Sequence, residues 1–288
     1  MHVSRWVALR RFGMAMRYVT ASVLAAIFLV PFYIMVRDSL LTNSQFTAQT
    51  WLWYPPTPQW SNFTSLFTNP EQASITGVSI VTGLENSAIM AVSTMVCSTL
   101  FASMAGYALA RVPVRGKTVV FAMILATMMI PGAATFVPTY IVVDALHGVN
   151  TLWGIIVPGL FSAFAAFFFR QFYLRFPREI EDAGRVDGLG YFGIYRYLLL
   201  PNSKGIMTAL ALLALIESWN AFLWPLVVGQ SASTWTVQVV ASSFITAESV
   251  NFVEVFAVAC VAVVPMFIVF VVMQRYIAQA VTLSGVRA

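Results

Sequence analysis

The sequence predicts an all-α polytopic membrane protein with six transmembrane helices, and three observations carry this prediction. Of its 288 residues, 59% are hydrophobic and only 9% are charged, whereas soluble domains carry about 25% charged residues. The apolar residues gather into six runs, each near the roughly 20 residues that a helix needs to cross a bilayer. The basic residues fall between these runs in a pattern that gives the chain one orientation across the membrane.

The six runs are nearly free of charge and are separated by more polar segments. No small-residue cleavage site follows the first run, so we interpret it as a retained helix rather than a removed signal peptide. Pro131 and Pro138 fall within the third run, and because proline lacks a backbone N–H, both predict interruptions of that helix. Such a break can border a transport path or be a simple packing kink. The spans are expected near residues 18–36, 86–110, 118–143, 151–169, 206–228 and 255–273.

The distribution of basic residues predicts which side of the membrane each loop faces. Of the sixteen Lys and Arg residues, all but Arg37 fall before the first span, between the second and third, between the fourth and fifth, or after the sixth. The positive-inside rule makes that side cytoplasmic and places both termini there. The net charge of +5 follows from this topology, and no nucleic-acid partner is needed to explain it.

Residue types that carry catalysis or bind metals are scarce. The two histidines, His2 and His147, lie outside the predicted spans, and no Cys/His cluster has metal-ligand spacing. Residues 116–118 (Gly-Lys-Thr) resemble the end of a phosphate-binding loop, but Arg111 stands where its first glycine is required. Both cysteines fall within predicted spans and are expected to be packing residues without a disulfide. We therefore expect no enzyme, metal or cofactor in this chain.

A charged, glycine-containing segment separates the fourth and fifth spans. Pro177 and the acidic residues after it favour a helix start, since proline fits the first turn and negative charge suits a helix N-terminus. Gly188 can adopt the left-handed conformation that commonly ends a helix. The pattern predicts a short cytoplasmic helix over 177–187, then a bend and a second apolar piece over 194–200 that Pro201 stops.

One face of this predicted helix is small. Ile180, Ala183, Gly184 and Asp187 share it at helical spacing, and a glycine inside a helix costs about 1 kcal/mol relative to alanine. Gly184 therefore indicates close approach by a neighbour. That neighbour can be another helix of this chain or the surface of another protein.

Glu217 is the clear case of a charged residue within a predicted span. A carboxylate is costly in lipid, so its side chain is expected to face protein or a water-filled cavity. Two interpretations remain open: a residue beside a transport path, or a structural partner for a polar group on a neighbouring helix.

The segment between the fourth and fifth spans resembles the cytoplasmic coupling loop of bacterial ABC import permeases, known as the EAA loop. That motif reads Glu-Ala-Ala, three residues, Gly, nine residues, Ile, one residue, Leu-Pro. Asp182-Ala183-Gly184 stands for the triplet, with Asp182 keeping the charge of the glutamate on a shorter arm. By this resemblance the ATPase-coupling residues within 177–201 are Glu181, Asp182, Ala183, Gly184, Arg185, Asp187, Gly188, Leu198, Leu200 and Pro201.

Other segments resemble the carbohydrate-type permeases of the same family, in particular the maltose permease G-subunit group. Ala221 departs from the aspartate that the family usually has. The resemblance runs from about residue 18 to the end, and it implies a single transmembrane permease domain over residues 1–288 with the type I ABC importer permease fold. The resembling segments are FASMAGYALARVPVRGK, ATMMIPGAATFVPTY, NTLWGIIVPGL, SWNAFLWPL and QRYIAQAVTLSGVRA.

The resemblance also implies partners and a mechanism. In such importers a second homologous permease, an ATPase dimer and an extracellular solute-binding protein assemble at the bacterial plasma (inner) membrane, and ATP and Mg bind the ATPase. The coupling helix would seat in a cleft of the ATPase, with Ala183 and Gly184 in the seat and Glu181, Asp182 and Arg185 supplying rim charges. Closure of the ATPase dimer would rock the spans between inward- and outward-facing states. The candidates for the solute path are Asn86, Glu217, Ser218, Trp219, Asn220 and Trp224.

The expected function is that of the permease subunit of an ATP-driven importer for a sugar or oligosaccharide. An anionic solute such as a glycerol phosphate is the alternative within the family. Its transport would require basic residues along the path, and the predicted spans contain none. An ATP-independent secondary transporter is another alternative. Such proteins often show inverted repeats and mid-membrane carboxylates, and here only Glu217 qualifies, with no repeat visible. The last alternative is a membrane scaffold protein that transports nothing.

Overall fold

The structure is a computed structural model that describes residues 2–48, 50–68, 79–246 and 251–285, with side chains described for 13–48, 50–68, 79–245 and 251–274. Every regular element in this part of the chain is helical. In order they are α1 (His2–Ser39), α2 (Asn43–Thr47), α3 (Ser61–Thr68), α4 (Ile80–Arg111), α5 (Lys117–Met129), α6 (Gly132–Ala145), α7 (Leu152–Ile156), a 3₁₀ turn (Val157–Gly159), α8 (Ala163–Leu174), α9 (Arg178–Val186), α10 (Tyr191–Gly193), a π-helix (Ile194–Leu199), α11 (Leu200–Asn202), α12 (Lys204–Trp219), α13 (Leu223–Val228), a second 3₁₀ turn (Ala232–Thr234), α14 (Val237–Thr246) and α15 (Phe252–Gly285).

The described residues contain four helices that are long and apolar enough to cross a membrane, and six candidate spans when each of two bent helix pairs is counted as one. One pair is α5 with α6, which are bent by 106° at residues 130–131, and the other is Tyr191–Asn202 with α12, bent by 80°. The remaining four spans are stretches long and apolar enough to cross a bilayer: Gly13–Ser39, Ile80–Arg111, Leu152–Leu174 and Phe252–Gln274.

Of the two prolines in the third span, only Pro131 breaks the helix. Ile130 before it is extended (φ −83°, ψ 123°), as expected for a residue whose α conformation clashes with a following proline. The helix restarts at Gly132 in a new direction. Pro138 instead lies inside α6 without a break, because one missing donor is tolerated in a membrane helix that neighbouring groups support. The predicted interruption at Pro138 is therefore wrong.

The fifth span is shorter than the predicted run over 206–228. Helix α12 ends at Trp219, and Asn220 closes it by donating its N–H to the Ile216 carbonyl at 3.1 Å. Pro225 accounts for the separate helix α13, since a proline inside a continuous helix would clash with the carbonyl four residues earlier. Restarting at Leu223 places Pro225 in a first turn, where no N–H is needed.

Helix α4 is the centre of the molecule and contributes to three clusters of buried side chains. Ala91 belongs to a cluster with α12, α14 and α15, Ala102 to one with α8 and the π-helix, and Met90 to one with α6, α7 and α13. Gly106 lets α8 approach closely, since a Cβ there would lie 2.6 Å from the Phe169 Cβ. Small residues at such crossings are how helices gain packing contacts in lipid.

Candidate functional site

The segment over 177–201, which we call the coupling segment after the motif that it resembles, contains the short helix that the sequence predicts. Helix α9 covers Arg178–Val186, with Pro177 just before its first turn and Asp187 just after its last. Gly188 adopts the left-handed conformation (φ +85°), and the N–H of Leu189 then donates to the Gly184 carbonyl at 2.9 Å. Local sequence signals therefore set both ends of the helix.

Gly184 is buried against the chain's own π-helix. A Cβ at this position would lie 2.7 Å from Leu198 Cδ1 and 3.4 Å from Leu189 Cδ1. Of the two neighbours that the sequence left open, the structure selects another segment of this chain. Gly184 therefore faces the interior of this chain, whereas Ala183 next to it is exposed.

Glu181 is also buried, which differs from the rim position expected for its charge. Its Oε1 lies 3.0 Å from Nε of Arg111 at the end of α4. Arg111 Nε donates its N–H to the Tyr173 carbonyl at 2.9 Å, and its Nη2 donates to the Phe176 carbonyl. The Glu181 oxygen therefore gains a nearby positive charge but no well-aligned hydrogen bond. Burial raises the pKa of Glu181, and the Arg111 charge acts in the opposite direction.

The outward side of α9 carries the charges that remain free to meet a partner. Arg185 Nη1 lies 3.3 Å from Asp182 Oδ1 in an exposed pair. Val186 is 88% exposed, and Asp187 is exposed beside it. We call Asp182, Ala183, Arg185, Val186 and Asp187 the outer face of α9. This face combines an exposed apolar side chain, Val186, with charged residues around it, and such a surface is better suited to contact with another protein than to exposure to water.

The second piece of the coupling segment is not stopped by Pro201 as predicted. Helix α10, the π-helix and α11 follow one another from Tyr191 to Asn202, and Pro201 lies within α11. Proline is tolerated there because it occupies the first turn of that short helix. Leu198 and Leu200 are half-buried in the cluster around Gly184 and Tyr195.

Hydroxyl groups that sequence reasoning missed tie this segment to the spans. Ser103 Oγ of α4 lies 2.7 Å from Tyr173 OH of α8, and Tyr195 OH of the π-helix donates to the same Oγ at 3.1 Å. Tyr107 OH donates to the Tyr191 carbonyl at 3.0 Å. The sequence signal that could have identified these contacts is the presence of serine and tyrosine residues at the end of an apolar run. The contacts make the coupling segment and the ends of two spans one connected unit.

A cavity of about 630 Å³ lies between the second, third, fourth and fifth spans. Helix α6 borders it because the break at Pro131 redirects the second half of the third span. The lining is mainly apolar, with seven polar side chains: Thr94, Ser98, Thr135, Thr139, Ser162, Glu217 and Ser218. Hydroxyl and carboxyl groups on apolar walls suit a ligand that presents both hydroxyl groups and a hydrocarbon face.

Three of the predicted path residues line this cavity: Glu217, Ser218 and Trp224. Trp224 Nε1 donates to the Ile155 carbonyl at 3.2 Å, and its ring meets Phe136 edge-to-face at 5.5 Å between centroids. The indole N–H of Trp224 therefore forms a hydrogen bond within the protein, and only the aromatic ring is available to contact a molecule in the cavity.

The other three predicted path residues do not line the cavity. Asn86 is buried and donates from Nδ2 to the carbonyls of Ser233 and Trp235 at 2.8 and 2.9 Å. Trp219 lies two residues after Glu217, hence on the opposite side of α12, where Nε1 donates to the Ala262 carbonyl at 3.2 Å. Asn220 is exposed and bonds the Ile216 carbonyl.

The threonine and serine residues of the cavity could have been found from their spacing. Thr94 and Ser98 lie four residues apart on α4, and Thr135 and Thr139 lie four apart on α6. Residues four apart share a helix face. Among the described residues, no group of three or more His, Cys, Asp or Glu side chains could hold a metal ion.

Comparison with known proteins places this fold among transport proteins. The chain is 36% identical over 202 residues to the arabinooligosaccharides transport system permease protein AraQ of Halalkalibacterium halodurans, with 70% of this chain and 72% of the relative covered. It is 30% identical to the lactose transport system permease protein LacG of Rhizobium radiobacter, covering 94% and 95% of the two chains. It is 34% identical to the sn-glycerol-3-phosphate transport system permease protein UgpE of Brucella abortus, covering 70% and 72%.

A solved structure shares the fold. A chain of a bacterial ABC transporter involved in the import of the acidic polysaccharide alginate superposes with a TM-score of 0.78 at 22% identity, covering 91% of this chain and 96% of that one. Residues 98–283 match the family model of the binding-protein-dependent transport system inner membrane component. This chain is therefore a member of the family of inner membrane components of binding-protein-dependent transport systems, and it is a permease with the fold of the ABC importers.

Proposed function

We propose that this permease forms half of the translocation path for a neutral sugar or oligosaccharide. The observation that carries the proposal is the composition of the cavity. Its polar groups are hydroxyls and one carboxyl, and no basic residue is among those that line it. An anionic solute would leave its charge without a counterion there, which is costly in a medium of low polarity. The names of the AraQ and LacG relatives are consistent with this solute class.

A second homologous permease is proposed to cover the broken third span. Met129 at the break is 85% exposed, and a Cβ at Gly132 would have no atom within 4 Å. Irregular backbone at membrane depth is tolerated only where protein covers it or where it borders water. Because α6 also lines the cavity, a partner seated against α5 and α6 would complete the path at the same time.

The outer face of α9 is proposed to seat on an ATPase dimer that binds ATP and Mg. Movement imposed on α9 would pass to α4 through Glu181 and Arg111, and to α8 through Tyr195, Ser103 and Tyr173. The basic residues around α9 support a cytoplasmic position for it and for both termini. The permease would lie in the bacterial inner membrane, and an extracellular binding protein would deliver the solute to the face of the permease opposite α9.

Reconstitution tests this proposal directly. The chain would be purified together with a second permease, an ATPase and a binding protein from the same organism, and the complex would be placed in proteoliposomes. We expect ATP-dependent uptake of radiolabelled lactose or arabino-oligosaccharides, and none of sn-glycerol 3-phosphate. Uptake of sn-glycerol 3-phosphate without uptake of either sugar would favour the anionic alternative. Uptake driven by an ion gradient without the ATPase would favour a secondary transporter.

A further inference from the structure

Glu217 is the one residue bearing a formal charge among those that line the cavity. It lies on α12, and the residues three, four and seven positions before it also line the cavity, as one helix face should, together with a residue just after the helix end. These companions are Ala214, Leu213, Leu210 and Ala221. Its side chain is exposed within the isolated chain, so the carboxyl group is not used up by an internal partner.

Ser218 beside it is an unpartnered polar group. The residue is only 8% exposed and lines the same cavity, yet its Oγ has no hydrogen-bond partner in the chain. Buried hydroxyl groups are normally hydrogen-bonded, and an exception calls for an explanation. The Oγ atom itself is fully buried, so Ser218 borders the cavity with its other atoms and does not present its hydroxyl group to a solute.

Basic residues on two of the helices that border the cavity, α4 and α8, are engaged elsewhere, and Lys204 at the start of α12 is not among the lining residues. Arg111 donates to two backbone carbonyls and faces Glu181. The Arg170 guanidinium lies 3.9 Å from the centroid of the Phe121 ring. Neither is among the cavity-lining residues, so nothing described in this chain offsets the formal charge of Glu217 there.

We propose that Glu217 forms a selectivity site that accepts hydroxyl groups of a neutral solute and repels anionic ones. Its carboxyl oxygens accept hydrogen bonds from solute hydroxyls. A phosphate or carboxylate on the solute would meet a like charge, and unfavourable contacts of this kind are how sites reject close analogues. This proposal rests on the proposed function only in taking the cavity as the solute path.

Charged thiol reagents test the selectivity site without a known solute. In the assembled transporter, both native cysteines are replaced (C97A/C260A), and Thr135→Cys places a single thiol on the α6 wall of the cavity. The rates of modification by cationic 2-(trimethylammonio)ethyl methanethiosulfonate and anionic 2-sulfonatoethyl methanethiosulfonate are then compared. We expect Glu217→Gln to raise the anionic-to-cationic rate ratio about tenfold, since one charge in a confined cavity shifts local ion concentration on that scale.

Three controls accompany the test. Glu217→Asp keeps the charge and should leave the ratio near that of the parent. Ser218→Ala removes the neighbouring hydroxyl without changing charge and should also leave it unchanged. Leu146→Cys, an exposed position at the end of α6 that does not line the cavity, should give a ratio that does not respond to Glu217→Gln.

Two results would overturn the proposal. One is an unchanged ratio at Thr135→Cys after Glu217→Gln, and the other is failure of both reagents to reach Thr135→Cys, which would mean that water does not fill the cavity. Both readouts are independent of uptake. A transporter that fails to move lactose but shows the expected ratio change would therefore contradict the proposed solute and leave the selectivity site standing.

Discussion

Arg111 Nε and Glu181 Oε1 lie 3.0 Å apart although the two side chains are only 6% and 4% exposed. The pair joins the end of a long span to the helix that is proposed to contact the ATPase. Removing two charges from water is costly, and their attraction offsets that cost only while both are present. The connection between coupling helix and span is therefore sensitive to the loss of either partner.

Replacing Arg111 by methionine should destabilise the permease by about 3–5 kcal/mol, because it leaves the Glu181 carboxylate buried without a counter-charge. The double variant Arg111→Met/Glu181→Met should recover part of this loss, though not all, since the Tyr173 and Phe176 carbonyls still lack their donor. Thermal unfolding of the detergent-solubilised complex measures both. A double variant no more stable than Arg111→Met would contradict a charge-pairing role.

Stability should depend on pH through Glu181. Burial raises its pKa above the ordinary 4.5, so between 4.5 and the raised value the folded protein holds a proton that the unfolded chain has released. The free energy of unfolding therefore falls as pH rises across that window. We expect Glu181→Gln to remove this fall, with the difference in Tm between variant and parent growing from pH 4.5 upward. Parallel Tm curves for the two proteins would show that Glu181 does not titrate differently on folding.

Adjacent substitutions on α9 should separate internal packing from partner contact. Gly184→Trp would displace Leu198 and Leu189 and so lower the Tm of the isolated permease while leaving the spans inserted. Ala183→Trp lies on the outer face and should leave that Tm unchanged but reduce co-purification of the ATPase. Retained ATP-driven uptake in Gly184→Trp would count against coupling through this segment, and equal Tm losses for both variants against the assignment of faces.

Two asparagines that the sequence analysis assigned to the solute path should differ in their effect on stability. Asn86→Ala removes two hydrogen bonds that hold the loop at Ser233 and Trp235, at about 1 kcal/mol each with a further cost for the buried carbonyls. Asn220→Ala removes one exposed bond to its own helix and should change Tm little. The comparison is made by thermal unfolding in detergent. Equal effects would mean that Asn86 does not anchor the loop at Ser233 and Trp235.

The coupling helix could be predicted because its signals are local. Pro177, the acidic first turn and Gly188 act on the residues next to them, and they set the ends of α9. The burial of Glu181 could not be predicted in the same way. Its environment is made by Arg111 at the end of another helix, and nothing in the neighbouring sequence of Glu181 reports that contact.

The cavity shows the same division. Glu217 was found because a carboxyl group in an apolar run is conspicuous, and Ser218 because it lies beside it. Thr135 and Thr139 were missed since hydroxyl side chains can bond their own helix backbone, as Thr139 does with the Thr135 carbonyl, and so are ordinary in membrane helices. That Asn86 lies away from the cavity could not be predicted, because its two carbonyl partners are 147 and 149 residues away.

Helix α4 has a further consequence for how a signal crosses the membrane. Its 32 residues make an unbroken rod of about 48 Å at 1.5 Å per residue. Arg111 at one end contacts Glu181 of α9, Thr94 and Ser98 in the middle face the cavity, and Asn86 near the other end holds the loop at Ser233. A rotation of α4 by a few degrees about its own axis, applied at the Arg111 end, would therefore move all three sites together.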